Sequence, residues 1–133
     1  MRAIYLVAAL LLASCASSSE ITDGALTPAQ LNAAKDVYHG QRTKVRGWMR
    51  SGFENYALWQ SKKANAKGNF AEDCVSLMIP ESMDTSRYDK RYVEVEGIFL
   101  QRLPSGTVHL GGCNVTTLQL LEDAPPVIVG NGK

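Results

Sequence analysis

The sequence predicts a mainly β chain: a small closed five-stranded barrel preceded by one N-terminal α-helix. Three observations carry that reading. Apolar residues recur at helical spacing over 28–39, and after that segment they alternate with a period of two. Five such alternating segments follow, with a glycine midway along the first. A polar stretch separates the third from the fourth. Closing such a sheet on itself removes exposed edges. A β-meander capped by the helix would use the same elements.

Thr27-Pro28-Ala29-Gln30 opens the helix. Thr27 suits the capping position, Pro28 the first helical position, and Gln30 completes a T-x-x-Q capping box. Leu31, Ala34, Val37 and Tyr38 share one face, and Gly40 stops the run. Next comes Lys44–Arg50, with Val45, Gly47 and Met49 on one face and Lys44, Arg46, Trp48 and Arg50 on the other. Ser51-Gly52 marks a turn or bulge. Tyr56–Ser61 is the second strand, and the polar stretch 62–69, with Gly68 and no apolar pattern, reads as a loop. Val75, Leu77 and Ile79 alternate in a third strand beside Cys74, which Pro80 ends. Residues 81–90 are polar, with room for a short helical turn.

Tyr92–Leu100 is the clearest strand: Val93, Val95, Gly97 and Phe99 on one face, Glu94 and Glu96 on the other. Pro104-Ser105-Gly106 is a turn. Val108–Leu110 and Asn114–Leu121 form the last strand region, interrupted by Gly111-Gly112. The folded domain is thus expected over 27–122 and a C-terminal tail over 123–133. No internal repeat is visible.

The segments "KVRGWMRSGFENYALWQS", "CVSLMIP" and "RYVEVEGIFLQ" together resemble the OB-fold, over about residues 42–121. The V-x-G-x-(M/L) opening and the later V-x-V-x-G strand carry the resemblance. It implies that the third strand lies beside the fifth and the first beside the fourth. The usual helix between the third and fourth strands is here short or missing.

The first residues read differently. Arg2 precedes an apolar run from Ala3 to Ala13, broken only by Tyr5. This is the pattern of an export signal, too short for a bilayer span of about 20 residues. The run ends in Leu12-Ala13-Ser14-Cys15, which resembles the lipobox of bacterial lipoproteins. That resemblance implies a signal peptide over 1–14, cleavage before Cys15, and acylation of Cys15 with chains such as palmitate. Two or more acyl chains anchor a protein stably, where one does so marginally. Ala16 stands where an aspartate would signal inner-membrane retention, which implies an outer-membrane protein facing the periplasm. A plain secretory signal cut near Ala16 is the alternative. Residues 15–26 read as a lipidated, flexible, Ser-rich tether.

Removing 1–14 from the 133 residues leaves 119, enough for one domain with a modest core. It also removes Arg2, so 13 basic side chains face 13 acidic ones and no global basicity argues for nucleic acid. Locally the charge is uneven. Residues 35–67 carry eight basic and two acidic side chains, and residues 72–96 carry seven acidic and three basic. Opposite faces, or strands paired across their charges, would both give this. With Cys15 lipidated, Cys74 and Cys113 remain. In an oxidising periplasm a disulfide is expected, with free thiols or a metal site as alternatives. The OB-fold resemblance, by setting the third strand beside the fifth, brings the two cysteines together.

The stripe Lys44, Arg46, Trp48, Arg50 is the candidate binding face, with Phe53, Tyr56 and Trp59 close behind. OB-folds bind oligonucleotides and oligosaccharides, and aromatics among cations suit single strands. In an envelope a nucleic acid is a poor partner; an anionic glycan, a phospholipid head group or a protein fits better. The alternative is a solvated face whose cations meet Glu94 and Glu96 across strands. His39 and His109 lack the close spacing that zinc with Cys74 and Cys113 would need, so neither metal nor cofactor is assigned. No catalytic motif is present. Asp73, Glu54 and Asn55 read as solvated surface. The expectation is a lipid-anchored, non-catalytic binding or assembly module of the cell envelope. A structural or accessory lipoprotein without a small ligand is the alternative, and a hydrolase without a recognisable motif the third.

Overall fold

The computed structural model describes residues 24–108 and 111–130. The expected signal segment, Cys15 and the expected tether up to residue 23 lie outside them, as do His109, Leu110 and residues 131–133. The chain is mainly β. Strands β1 (Arg42–Gly52), β2 (Asn55–Trp59), β3 (Cys74–Met78), β4 (Arg91–Leu100) and β5 (Thr117–Leu120) lie in the order β1-β2-β3-β5-β4, and β4 returns to β1. The result is a closed five-stranded barrel. All pairings in the ring are antiparallel except β3 with β5. Both adjacencies implied by the resemblance, third beside fifth and first beside fourth, are present.

Closure depends on the length of β1. Its residues Arg42–Met49 pair with β4, while Trp48–Gly52 pair with β2. Gly47 stands where β1 leaves β2. A Cβ there would lie 2.5 Å from the Trp59 carbonyl oxygen and 2.8 Å from Leu58 Cγ. Gly97 in β4 meets the Gln119 backbone in the same way. Strand glycines at such positions permit close backbone approach. Inside the ring, Val45, Met49, Leu58, Val75, Val93 and Phe99 are fully buried, as the period-two pattern required.

The helical expectation over 28–39 is corrected to two short helices, α1 (Pro28–Ala33) and α2 (Lys35–Tyr38). The capping box is present: Gln30 N donates to Thr27 Oγ1 at 3.3 Å, and Thr27 N to Gln30 Oε1 at 2.9 Å. The chain breaks at Ala34, where ψ is 47°. Two anchors explain the break. Leu31 is buried in the barrel core, and Asn32 binds β3 at the start of that strand. Beyond α2, Gly40 N donates to the Phe99 carbonyl of β4 at 2.7 Å. A single straight helix does not serve both strands.

Three further boundaries differ from the sequence reading. The expected loop 62–69 contains a helix, α3 (Lys62–Lys67), capped by Ser61, whose Oγ accepts from Ala64 N at 3.0 Å. Because α3 buries no residue, it has no apolar periodicity to detect. The expected tail contributes β6 (Val127–Ile128), which pairs with Val93 and Glu94 of β4. The expected tether is already in the sheet at Leu26, which donates to Lys44 O and accepts from Arg46 N, both at 2.8 Å. β1 and β4 outrun their partners, and these two segments satisfy the leftover edges. Val108, expected in the last strand region, lies outside β5. The β3–β4 connection carries a 3-10 turn over Ser86–Tyr88, with Tyr88 buried.

Candidate functional site

Alternation places Lys44, Arg46, Trp48 and Arg50 on the outer face of β1, as the pattern predicts. The register then sets Lys44 opposite Glu96 and Arg46 opposite Glu94. Arg46 Nε lies 2.7 Å from Glu94 Oε2, and Arg42 Nε lies 2.6 Å from Glu96 Oε1. Arg50 Nε reaches Asp89 Oδ1 at 3.2 Å, and the same oxygen accepts from Ser51 N at 2.8 Å. Trp48 is half-buried, with Lys62 Nζ 5.9 Å from its ring centroid. Lys44 is exposed. Of the four, Arg46 and Arg50 are thus paired with carboxylates, one on β4 and one just before it, while Lys44 is exposed and Trp48 half-buried.

The outer face of β2 and β3 is roofed. Cys74 and Cys113 form a disulfide with Cα atoms 6.0 Å apart, and both are buried. Ala57, Trp59 and the two cysteines form an outer apolar cluster, against which Trp48 and Ala64 of α3 pack. Phe70 stands edge-on to Trp59 at 5.5 Å. Of the three aromatics that follow the stripe, Trp59 is therefore structural, while Phe53 and Tyr56 are exposed. With its cysteines bonded to each other, the zinc alternative lacks two ligands. His39 instead accepts at Nδ1 from Gln101 N at 3.2 Å, and His109 lies outside the described residues. Among the described residues, no three His, Cys, Asp or Glu side chains gather as metal ligands would.

Among the described residues, a cleft opens at the β1–β2 hairpin. Its tip, Phe53-Glu54, turns with Glu54 at φ 60°, and Phe53 is 91% exposed. Tyr56, 39% exposed, forms one wall of a cleft of about 470 Å3 between the hairpin and the start of the β3–β4 connection. Ser51, Ile79, Met83, Asp84 and Thr85 line the rest. Ser51 Oγ and Thr85 Oγ1 hydrogen-bond at 2.6 Å. Asp84 Oδ1 accepts from Ser86 N at 2.9 Å. Hydrogen bonds from the Ser86 side chain and backbone hold the Asp84 carboxyl below the ordinary aspartate value, so the rim carries a charge. The lining is mixed: Tyr56, Ile79, Pro80 and Met83 are apolar or aromatic, and Ser51, Glu81, Asp84, Thr85 and Ser86 are polar. The sequence reading named Phe53 and Tyr56 only as aromatics behind the basic stripe and did not single out Ile79, Met83 or Asp84 as site residues.

The long loop before β5 also reaches the hairpin. A Cβ on Gly111 would lie 3.1 Å from the Glu54 carbonyl oxygen. The disulfide at Cys113 therefore fixes a loop that touches the hairpin tip. No protein-family model matches the chain, and a search of curated proteins returned no match.

Proposed function

We propose that this chain is a bacterial lipoprotein, cut before Cys15, acylated there, and held on the periplasmic side of the outer membrane. We read its barrel as an OB-type barrel acting as a non-catalytic binding or assembly module. The ring order β1-β2-β3-β5-β4 with β3 and β5 parallel supports the barrel type. The binding reading rests on one observation: Phe53 and Tyr56 stand exposed at a hairpin beside a cleft that also presents Ile79 and Met83. Clustered exposed apolar groups at a polar-rimmed cleft mark interaction sites. The partner is an envelope protein or a glycan, met by the hairpin and the cleft rather than by the basic stripe.

Pairing of Arg46 with Glu94 and Arg50 with Asp89 favours a second reading, an accessory lipoprotein with no small ligand. Crosslinked envelopes separate the two. Partners captured by wild type should vanish with Phe53→Ala/Tyr56→Ala; identical partner sets would favour the accessory role. Acylation is tested apart from binding. Labelled palmitate should enter the wild-type chain and not Cys15→Ser, and the variant should leave the membrane fraction.

A further inference from the structure

We propose that α3 and its aromatic flank are a second membrane contact, in which Lys62, Lys63 and Lys67 bind the phosphates of anionic phospholipids. The inference rests on the lipid-anchor reading and adds an orientation to it. Its first support is the gathering of three unpaired lysines on one short helix. Arg42, Arg46 and Arg50 each have a carboxylate within 4.0 Å. Among the described residues, Lys62, Lys63 and Lys67 have none, and all three are exposed. The acids that follow are Glu72, which is exposed, and Asp73, whose Oδ2 accepts from Asn69 N at 2.8 Å. A helix that buries no residue yet concentrates free cations contributes little to the core.

The second support is the aromatic flank. Phe70 is 52% exposed while its ring edge rests on Trp59. Trp48 lies under Lys62. Lysines beside large apolar rings are the composition of interfacial membrane contacts.

The third support is where the tether meets the barrel. Leu26 is hydrogen-bonded along β1, and Ala29 N donates to Gln60 Oε1 at 3.0 Å. Gln60 is the residue before Ser61, the cap of α3. The chain from Cys15 to Leu26 spans at most about 40 Å when fully extended, and about 18 Å as a flexible coil. Lipid at Cys15 would keep the barrel within that reach of the headgroups, with the tether entering at this end. β2 runs from the hairpin at Asn55 to Trp59 beside α3, so α3 and the cleft lie at different ends of that strand.

The test uses the unlipidated segment 16–133, which holds every barrel strand, both bridging cysteines and the whole core. Co-sedimentation is measured with vesicles of phosphatidylcholine, with and without phosphatidylglycerol. The segment should bind only the anionic vesicles, and added salt should release it. Lys62→Ala/Lys63→Ala/Lys67→Ala should lower the partition coefficient on the order of a hundredfold, with an unchanged melting temperature. Arg87→Ala, in the β3–β4 connection at the other end, should leave binding unchanged. Three outcomes would overturn the proposal: no preference for anionic vesicles, equal binding by the triple variant, or capture by a soluble anionic glycan in preference to vesicles. The assay contains no acyl chain, so its failure is distinct from a failure of Cys15 to be acylated.

Discussion

Asn32 does more for this fold than its residue type advertises. Its amide donates to the carbonyls of Glu72 at 2.9 Å and Cys74 at 2.8 Å, and its Oδ1 accepts from Thr116 Oγ1 at 2.6 Å. One buried side chain thus ties α1 to β3 and to the residue that leads into β5. Asn32→Ala leaves the Cys74 carbonyl and the Thr116 hydroxyl without this partner in a buried site, and the Glu72 carbonyl without it at the edge. The expected loss is about 2–4 kcal/mol in urea denaturation; a loss below half a kilocalorie would mean water replaces the amide. In sequence Asn32 looks like surface, because polarity predicts exposure unless a partner is known. The disulfide is the opposite case, expected from the sequence once Cys15 is set aside as the proposed acylation site. Cys74→Ser should cost about 3–4 kcal/mol on the chain-entropy model, given a sequence separation of 39. The melting temperature should fall under non-reducing conditions, and reductant should bring wild type down towards the variant. An unchanged melting point would sink the bridge as a stabiliser.

At the level of elements, strands were more legible than helices. β4 follows its predicted alternation from Val93 to Phe99, and β1 does so over Lys44–Arg50. Both are half-buried, so each residue reports its face by polarity. α3 buries no residue and left no such trace. The 28–39 segment showed helical spacing, but two anchor points on different strands split it. Register decided the fate of the basic stripe. Arg46 and Glu94 are separated by 48 positions in the chain and become direct cross-strand neighbours. A double-mutant cycle with Arg46→Ala and Glu94→Ala should give a coupling of about 0.2–1 kcal/mol that shrinks with salt. Zero coupling at low salt would return Arg46 to the pool of free cations. β6 adds only two pairs to β4, with both side chains exposed. Truncation after Pro126 should therefore cost no more than about 1 kcal/mol, read by thermal melting.

For the molecule as a whole, the core and the proposed binding site lie at different places. The interior holds the aliphatic core and Phe99, whereas Phe53 and Tyr56 stand at the rim and contribute little to it. Phe53→Ala/Tyr56→Ala should shift stability by less than about 0.5 kcal/mol while removing captured partners. A large loss of stability would instead place the hairpin in the folding core. By itself the sequence determined the mainly β class, the alternation of β1 and β4, the capping box at Thr27 and the pairing of Cys74 with Cys113. These follow from periodicity, local hydrogen bonding and cysteine arithmetic, which act over a few residues or by simple count. Only the tertiary structure decided that Arg46 and Arg50 are paired, that Leu26 and Val127–Ile128 complete the sheet, and that a cleft opens at the β1–β2 hairpin. Those outcomes depend on strand register and on which edges a closed barrel leaves over. Both are relations between residues distant in the chain, and no local pattern encodes them.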